Sequence, residues 1–174
     1  MDSIAAGPVT TEGSSSVLPT IEIRPLLPGD DSTAFRTLNE EWIMRYFTLE
    51  AKDRETLGDP ERMILRKGGQ IFMAYADGEP IGCVALIAMG DGVYELSKMA
   101  VSPKLRGLGI GRRLLEYTVA RARLIGARSL FLGSSTKLPN AVHLYESIGF
   151  RHVAPEKLPP NPYTRADVFM EMPL

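Results

Sequence analysis

The sequence predicts an α/β domain with a mixed central sheet of about six to seven strands and helices on both faces. Two observations carry this expectation. Short segments with strand character alternate with amphipathic helical segments in the order β-α-α-β-β-β-α-β-α-β-β. The chain has 174 residues, of which 44% are hydrophobic and 24% charged, which suits one globular domain with a sizeable core.

The first elements are one strand and two helices. Residues 21–26 alternate between apolar and polar side chains and end near a proline, as in a short strand. Residues 34–47 carry aromatic and aliphatic side chains at helical spacing, which predicts a helix. A second helix is expected over 60–66, where Gly68 ends it.

Three strands and a long helix follow. Strands are predicted over 70–76 and 81–89, because the Asp-Gly-Glu-Pro sequence at 77–80 has strong turn chemistry. A fourth strand is expected over 93–101. An amphipathic helix then covers 110–125, with arginine and glutamate on its polar face.

The last part of the chain supplies three strands and one helix. Residues 129–133 are a short, fully apolar strand of the kind found deep in a sheet. A helix over 140–148 is closed by Gly149, and strands over 150–153 and 166–172 complete the domain.

The ends of the domain follow from composition. Residues 1–19 are small and polar, which predicts a disordered N-terminal tail before a domain over 20–174. The N-terminus lacks a basic stretch followed by an apolar one, and no apolar run approaches the ~20 residues that span a bilayer. We therefore expect a cytoplasmic protein without a membrane partner.

Charge and cysteine content exclude several classes of protein. The net charge is −1, from 20 basic and 21 acidic residues, which argues against a nucleic-acid partner because such proteins need a basic surface. Cys83 is the only cysteine, so there is no internal disulfide and no cysteine-based zinc site. It lies in an apolar run and is interpreted as a buried small side chain. With two histidines in the chain, no metal is expected.

The segment 99–111 is the most informative in the chain. It connects a strand to an amphipathic helix, and Gly107, Gly109 and Gly111 allow the backbone to approach a ligand. Helix N-termini carry N–H donors and partial positive charge, so the segment is suited to a diphosphate. It is neither a P-loop nor a good dinucleotide fingerprint. A glycine-rich turn without a ligand is the alternative interpretation.

Two motifs resemble a known family. The run Arg106-Gly107-Leu108-Gly109-Ile110-Gly111 resembles the Arg/Gln-x-x-Gly-x-Gly/Ala signature of the GNAT (GCN5-related N-acetyltransferase) superfamily. The later run from Asn140 through Tyr145 to Gly149-Phe150 resembles its second block. The resemblance covers about 21–174 and implies the GNAT fold, in which the strands at 93–101 and 129–135 splay apart.

The resemblance also implies acetyl-CoA as cosubstrate. Its diphosphate is expected on the loop N–H groups, and its pantetheine arm beside the backbone around Ala100. Asn140 is expected to hydrogen-bond the pantetheine, to cap its helix, or both. The expected cofactor-binding residues are Met99, Ala100, Val101, Arg106, Gly107, Leu108, Gly109, Ile110, Gly111, Arg112, Asn140 and Tyr145.

Acetyl transfer to an amine needs a base, an acid and an oxyanion donor. Tyr145 is the candidate acid for the departing thiolate, and the alternative is a packing role. Glu95 is the candidate base, and the alternatives are a surface residue or an anchor for a substrate ammonium. The family resemblance also allows a chain of water molecules to accept the proton without a single base. The oxyanion donor is expected to be a backbone N–H near Met99 or Ala100. Strand alternation predicts that Lys98 is solvated.

The amine site is expected between the first helices and the last hairpin. Glu41 or Glu50 is suited to attract a cationic amine, and Arg165 to bind a substrate carboxylate in a bidentate pair. The proline-rich run 155–162 is a candidate wall. Candidate lining residues are Trp42, Tyr46, Glu50, Tyr163 and Arg165.

The leading hypothesis is therefore an N-acetyltransferase that acts on a primary amine of a small metabolite. One alternative is a protein-lysine or N-terminal acetyltransferase. Another is a module that binds acyl-CoA without catalysis, although such a sensor needs neither Tyr145 nor Glu95. Members of the family are often homodimers, so a homodimer is the expected partner state.

Overall fold

The computed structural model describes residues 18–105, 107–158 and 163–174. The tail expected over 1–19 lies almost wholly outside the described residues, as do Arg106 and part of the proline-rich run. The strands are β1 (Ile21–Pro25), β2 (Gln70–Ala76), β3 (Glu79–Gly90), β4 (Val93–Val101), β5 (Ser129–Ser134), β6 (Arg151–His152) and β7 (Val168–Pro173). The helices are α1 (Thr33–Tyr46), α2 (Ala51–Gly58), α3 (Ile110–Leu124) and α4 (Pro139–Ile148).

The seven strands form one mixed sheet in the order β1-β2-β3-β4-β5-β7-β6. Strands β4 and β5 are parallel neighbours, and the other neighbours are antiparallel. The parallel pair needs a crossover connection, which α3 supplies. The predicted α/β class and mixed sheet are confirmed.

Strand alternation separates two apolar layers, one on each face of the sheet. In β2, Phe72 and Ala74 belong to the layer that α3 covers, whereas Ile71 and Met73 belong to the layer that α1 and α2 cover. Cys83 is fully buried in the second layer, and burial raises the pKa of its thiol to about 12. The interpretation of Cys83 as a buried small side chain is confirmed, because a thiol with that pKa stays protonated and inert.

Helix α2 was not predicted from the sequence, and the helix expected after it is shorter than predicted. The helix expected over 60–66 is a five-residue π-helical turn, Glu61–Leu65. Helix α2 lacks an apolar stripe, because Leu57 is its one large apolar residue. It does carry a capping box, in which Glu50 and Asp53 each accept a hydrogen bond from the other's backbone N–H. That pair of acidic residues at N-cap and N3 was the available sequence signal.

Candidate active site

A cleft opens where β4 and β5 part. The two strands are in register only from Val93 to Glu95 on β4 and from Ser129 to Phe131 on β5. Both strands continue beyond that point, so the sheet splits and side chains from both edges face a common space. The splayed central strands that the sequence resemblance implied are confirmed.

Glu95 lies at the apex of this split, opposite Phe131 in the last shared register position. Its side chain lines the cleft. Burial raises the pKa of Glu95 above its usual value, although the positive charges of Lys98 and Lys52 act in the opposite direction. A carboxylate with a raised pKa is a stronger base than a solvated one.

Tyr145 lines the same cleft from helix α4. Its ring makes an edge contact with Phe150, with the centroids 5.9 Å apart. Burial raises the pKa of Tyr145 to about 12, so the phenol stays protonated at neutral pH and can donate a hydrogen bond. The structure therefore brings both candidate catalytic side chains, Tyr145 and Glu95, to one cleft.

A β-bulge in β4 overturns the expectation that Lys98 is solvated. Between the register pairs Cys83–Ala100 and Ala85–Ser97, one residue of β3 faces two residues of β4. Lys98 adopts a left-handed backbone there, with φ of 54°. The extra residue reverses the alternation, so Lys98 turns inward, and only 8% of it is exposed.

Lys98 pairs with Asp53, a residue that the sequence analysis missed. The Lys98 ammonium lies 2.6 Å from Asp53 Oδ1, and the Arg165 guanidinium contacts both Asp53 oxygens at 2.7 Å. Burial favours a raised pKa for Asp53, but the hydrogen bonds from Arg165 and Lys98 hold that pKa well below its usual range. Burial lowers the pKa of Lys98 against the opposing effect of Asp53.

The Asp53 contacts correct the expectation for Arg165. The Arg165 guanidinium group was expected to bind a substrate carboxylate, but it binds Asp53 instead. Its NH1 group also donates a 3.0 Å hydrogen bond to Glu50 Oε2. Glu50 also accepts hydrogen bonds from the Thr164 backbone and hydroxyl. Glu50 is therefore engaged by its own chain, and Glu41 is an exposed residue paired with Arg45.

The expected acceptor residues divide between two sites. Trp42, Tyr163 and Arg165 line the cleft. Tyr46 and Glu50 line a separate shallow groove, which Arg165 also borders. The expected acceptor residues that reach the cleft therefore come from helix α1 and from the segment just before β7.

The glycine-rich loop has the backbone that anion binding requires. Gly107 and Gly109 have φ of 84° and 67°, a left-handed conformation that favours glycine, and an added Cβ would meet no atom within 4 Å at either position. Gly109 is the N-cap of α3, and because glycine has no side chain it makes no capping hydrogen bond to the helix. The first-turn N–H groups of α3, from Ile110 to Arg112, therefore remain available to a ligand.

The other expected cofactor residues are distributed around this loop. Met99 lines the cleft, Ala100 is buried beside the bulge, and Val101 ends β4. Leu108 is exposed, and Arg112 donates a 2.7 Å hydrogen bond to the Ser147 hydroxyl. Gly111 has ordinary helical geometry, and Arg106 lies outside the described residues.

The capping role expected for Asn140 is wrong. Helix α4 begins at Pro139, and Leu138 is its N-cap. Asn140 is an exposed residue of the first turn, two positions beyond the N-cap, so it does not cap the helix. Its expected contact with pantetheine stays a prediction.

The described residues contain neither a metal-binding cluster nor a helix suited to cross a membrane. Residues 18–105, 107–158 and 163–174 contain no group of three or more His, Cys, Asp or Glu side chains that could hold a metal ion. None of the helices described is both long and apolar enough to cross a membrane.

The sequence and the fold match known proteins. Residues 35–150 match the acetyltransferase (GNAT) family. The chain belongs to the GNAT family of acetyltransferases. The expected resemblance and the expected enzyme class, an acetyl-transferring acyltransferase, are thereby confirmed.

Several named enzymes are similar in sequence to this GNAT domain. It is 29% identical over 152 residues to mycothiol acetyltransferase of Cellulomonas flavigena, covering 82% of this chain and 44% of the relative. It is 37% identical over 113 residues to N-acetylaspartate synthetase of Xenopus tropicalis, covering 60% of this chain and 40% of the relative. The chain thus spans less than half the length of these two relatives. IAA acetyltransferase of Azospirillum brasilense is 34% identical over 124 residues, covering 70% of this chain and 74% of the relative.

Solved structures share the fold of this GNAT domain. A GNAT-family acetyltransferase from Staphylococcus aureus Mu50 superposes with a TM-score of 0.79 at 22% identity, covering 88% of this chain and 99% of that one. The PaiA N-acetyltransferase of Thermoplasma acidophilum, solved in complex with coenzyme A, gives a TM-score of 0.68 at 20% identity, covering 89% and 99%.

Proposed function

We propose that this GNAT domain transfers the acetyl group of acetyl-CoA to a primary amine of a small molecule. The observation that carries the proposal is the split between β4 and β5, because Glu95 and Tyr145 line the one cleft it opens. The relatives support the same class, since mycothiol acetyltransferase and IAA acetyltransferase are named for small molecules.

The chain's own backbone is suited to hold acetyl-CoA. The left-handed Gly107 and Gly109 and the uncapped start of α3 present N–H donors to a diphosphate. The bulged edge of β4 around Met99 faces the cleft, so it can pair with an extended amide-containing arm. When bound, acetyl-CoA supplies an activated acetyl thioester.

Glu95 is the proposed base. The acceptor amine is protonated at neutral pH, because amine pKa values are near 10. The Glu95 carboxylate accepts one proton from the ammonium, so the nitrogen lone pair becomes available to attack the thioester carbonyl. Burial suits Glu95 to this step, since it raises the pKa of the carboxyl toward neutrality.

Tyr145 is the proposed donor to the departing sulfur. A thiol has a pKa of about 8.5, below the value of about 12 for Tyr145, so complete proton loss from the phenol is unfavourable. Tyr145 therefore donates a hydrogen bond that strengthens as the C–S bond breaks and the N–C bond forms. The nitrogen loses its second proton to the Tyr145 oxygen as the Tyr145 hydroxyl proton passes to the departing sulfur. The thiol of coenzyme A is thereby formed, and Tyr145 is protonated at the end of the step as it was at the start.

A thiol-release assay tests the proposal. Purified protein is mixed with acetyl-CoA and a panel of small amines, and coenzyme A release is compared for wild type and Glu95→Gln. We expect at least one amine to be acetylated, with kcat/KM about 10²-fold lower in Glu95→Gln. The glutamine keeps the shape of Glu95 without its basicity. Coenzyme A binding without transfer to any amine would instead favour a sensor, and absence of binding would reject the proposal.

A further inference from the structure

Aromatic rings form much of the acceptor side of the cleft. Phe131 of β5 and Phe169 of β7 stack with their centroids 6.2 Å apart and their planes 15° apart, and both are only partly buried. Trp42 of α1 faces the cleft with Phe47, which lies 6.2 Å from it. Stacked and tilted rings around a cleft are suited to bury an apolar or aromatic body.

The positive charges in the cleft are already matched by carboxylates. Lys98 and Arg165 share Asp53, and Arg165 also contacts Glu50. The Tyr163 ring packs against both cations, 4.7 Å from the Lys98 ammonium and 4.4 Å from the Arg165 guanidinium carbon. These two cations and two carboxylates sum to zero formal charge, so the cluster offers little attraction to a substrate carboxylate.

Among the described charged residues that line the cleft, Glu95 lies outside this cluster of matched charges. Within the described ranges it forms no salt bridge, and it senses Lys98 and Lys52 only at longer range. A ligand that adds one positive charge therefore balances the cleft. A ligand that also carries a carboxylate would bury that group against aromatic rings and a cation cluster already satisfied, which costs desolvation without a new partner.

We propose that the acceptor is an aromatic or similarly apolar primary monoamine, bound with its ammonium at Glu95 and its body between Trp42 and the Phe131–Phe169 pair, and that carboxylate-bearing amines are rejected. The inference rests on the proposed function for its catalytic readout. It adds a substrate class and the residues that select it.

Matched pairs of amines test the inference. Phenethylamine and L-phenylalanine differ by one carboxylate, and phenethylamine and ethylamine differ by one phenyl group. We expect kcat/KM for phenethylamine to exceed that for either partner by at least about tenfold, which corresponds to about 1.4 kcal/mol. A preference for L-phenylalanine would overturn the inference, as would equal rates for phenethylamine and ethylamine.

Variants assign the preference to the aromatic wall. Phe131→Leu keeps an apolar side chain but removes the ring stacked on Phe169. We expect KM to rise several-fold more for phenethylamine than for ethylamine, because only phenethylamine carries a ring to pack against Phe131. Leu124→Ala is the matched control, because Leu124 lies on α3 and is 76% exposed. An equal effect of Phe131→Leu on both amines would mean that the ring does not select the substrate.

Calorimetric titration separates this inference from the proposed function. Phenethylamine and L-phenylalanine are titrated into the protein saturated with coenzyme A, where no transfer can occur. Tighter binding of phenethylamine supports the inference even if no amine is acetylated, and only the proposed function then fails. If neither compound binds, or L-phenylalanine binds more tightly, the inference is overturned even if some other amine is acetylated.

Discussion

The Lys98 ammonium lies 2.6 Å from Asp53 Oδ1, and the exposed fractions of the two side chains are 3% and 0%. This contact joins the bulge of β4 to the first turn of α2. Lys98 has a left-handed φ of 54°, which a lysine adopts only where the surroundings compensate. The ion pair with Asp53 provides that compensation, so we infer that it fixes the shape of the strand edge that faces the cleft.

Removing the carboxylate from this pair should destabilise the domain. Asp53→Asn leaves Lys98 and Arg165 without their shared counter-charge, and breaking a buried pair costs about 3 kcal/mol or more. Unfolding in urea measures the change. The control is Glu55→Gln on the same helix, because Glu55 is 51% exposed and pairs with Lys52 at 3.5 Å. Its effect should stay within about 0.5 kcal/mol, and equal losses in the two variants would contradict the assignment.

The stability of the domain should fall in acid through the same carboxyl. The folded-state pKa of Asp53 is depressed, because Arg165 and Lys98 outweigh the effect of burial. A depressed pKa stabilises the fold above the unfolded value of about 3.9 and loses that contribution as the pH falls further. Urea unfolding at pH 6 and pH 3 should show a larger loss for wild type than for Asp53→Asn. Parallel losses would assign the acid sensitivity to other carboxyls.

Tyr145→Phe tests the proposed donor to sulfur. The substitution removes one hydroxyl and keeps the edge contact with Phe150. We expect kcat to fall about 10²-fold, the usual cost of losing one donor to developing charge, with little change in coenzyme A affinity. Tyr117→Phe is the matched control, since Tyr117 packs against Phe72 in the layer under α3. A packing role for Tyr145 predicts lost thermal stability with kcat preserved.

Gly109→Glu tests the glycine-rich loop. Gly109 has φ of 67°, so any other side chain strains the N-cap of α3, and a carboxylate there repels a diphosphate. Coenzyme A affinity, measured by calorimetry, should fall at least about tenfold. Gly58→Ala is the control, because Gly58 is in helix α2 and an added Cβ meets no atom within 4 Å. Unchanged affinity in Gly109→Glu would exclude this loop as the diphosphate site.

The predicted strands and helices agree with the structure where the apolar pattern of the sequence is strong. The strands at 70–76 and 93–101 have the predicted bounds, and the helix over 110–125 ends one residue earlier than expected. Helix α2 was missed because its stability comes from capping and from Asp53, while the usual sequence signal for a helix is an apolar stripe. Asn140 failed as a cap because Pro139 starts the helix one residue earlier.

The sequence by itself determined the order of the elements, the glycines of the loop and the two motifs that indicate the GNAT family, because these depend on local backbone preference and spacing. Only the tertiary structure decided where the charges meet. Strand alternation predicted that Lys98 faces solvent. The extra residue of the β4 bulge instead directs Lys98 toward Asp53, which is 45 positions away in the chain. The position of the bulge depends on how β4 pairs with β3, and strand pairing between separate segments is a property of the folded sheet.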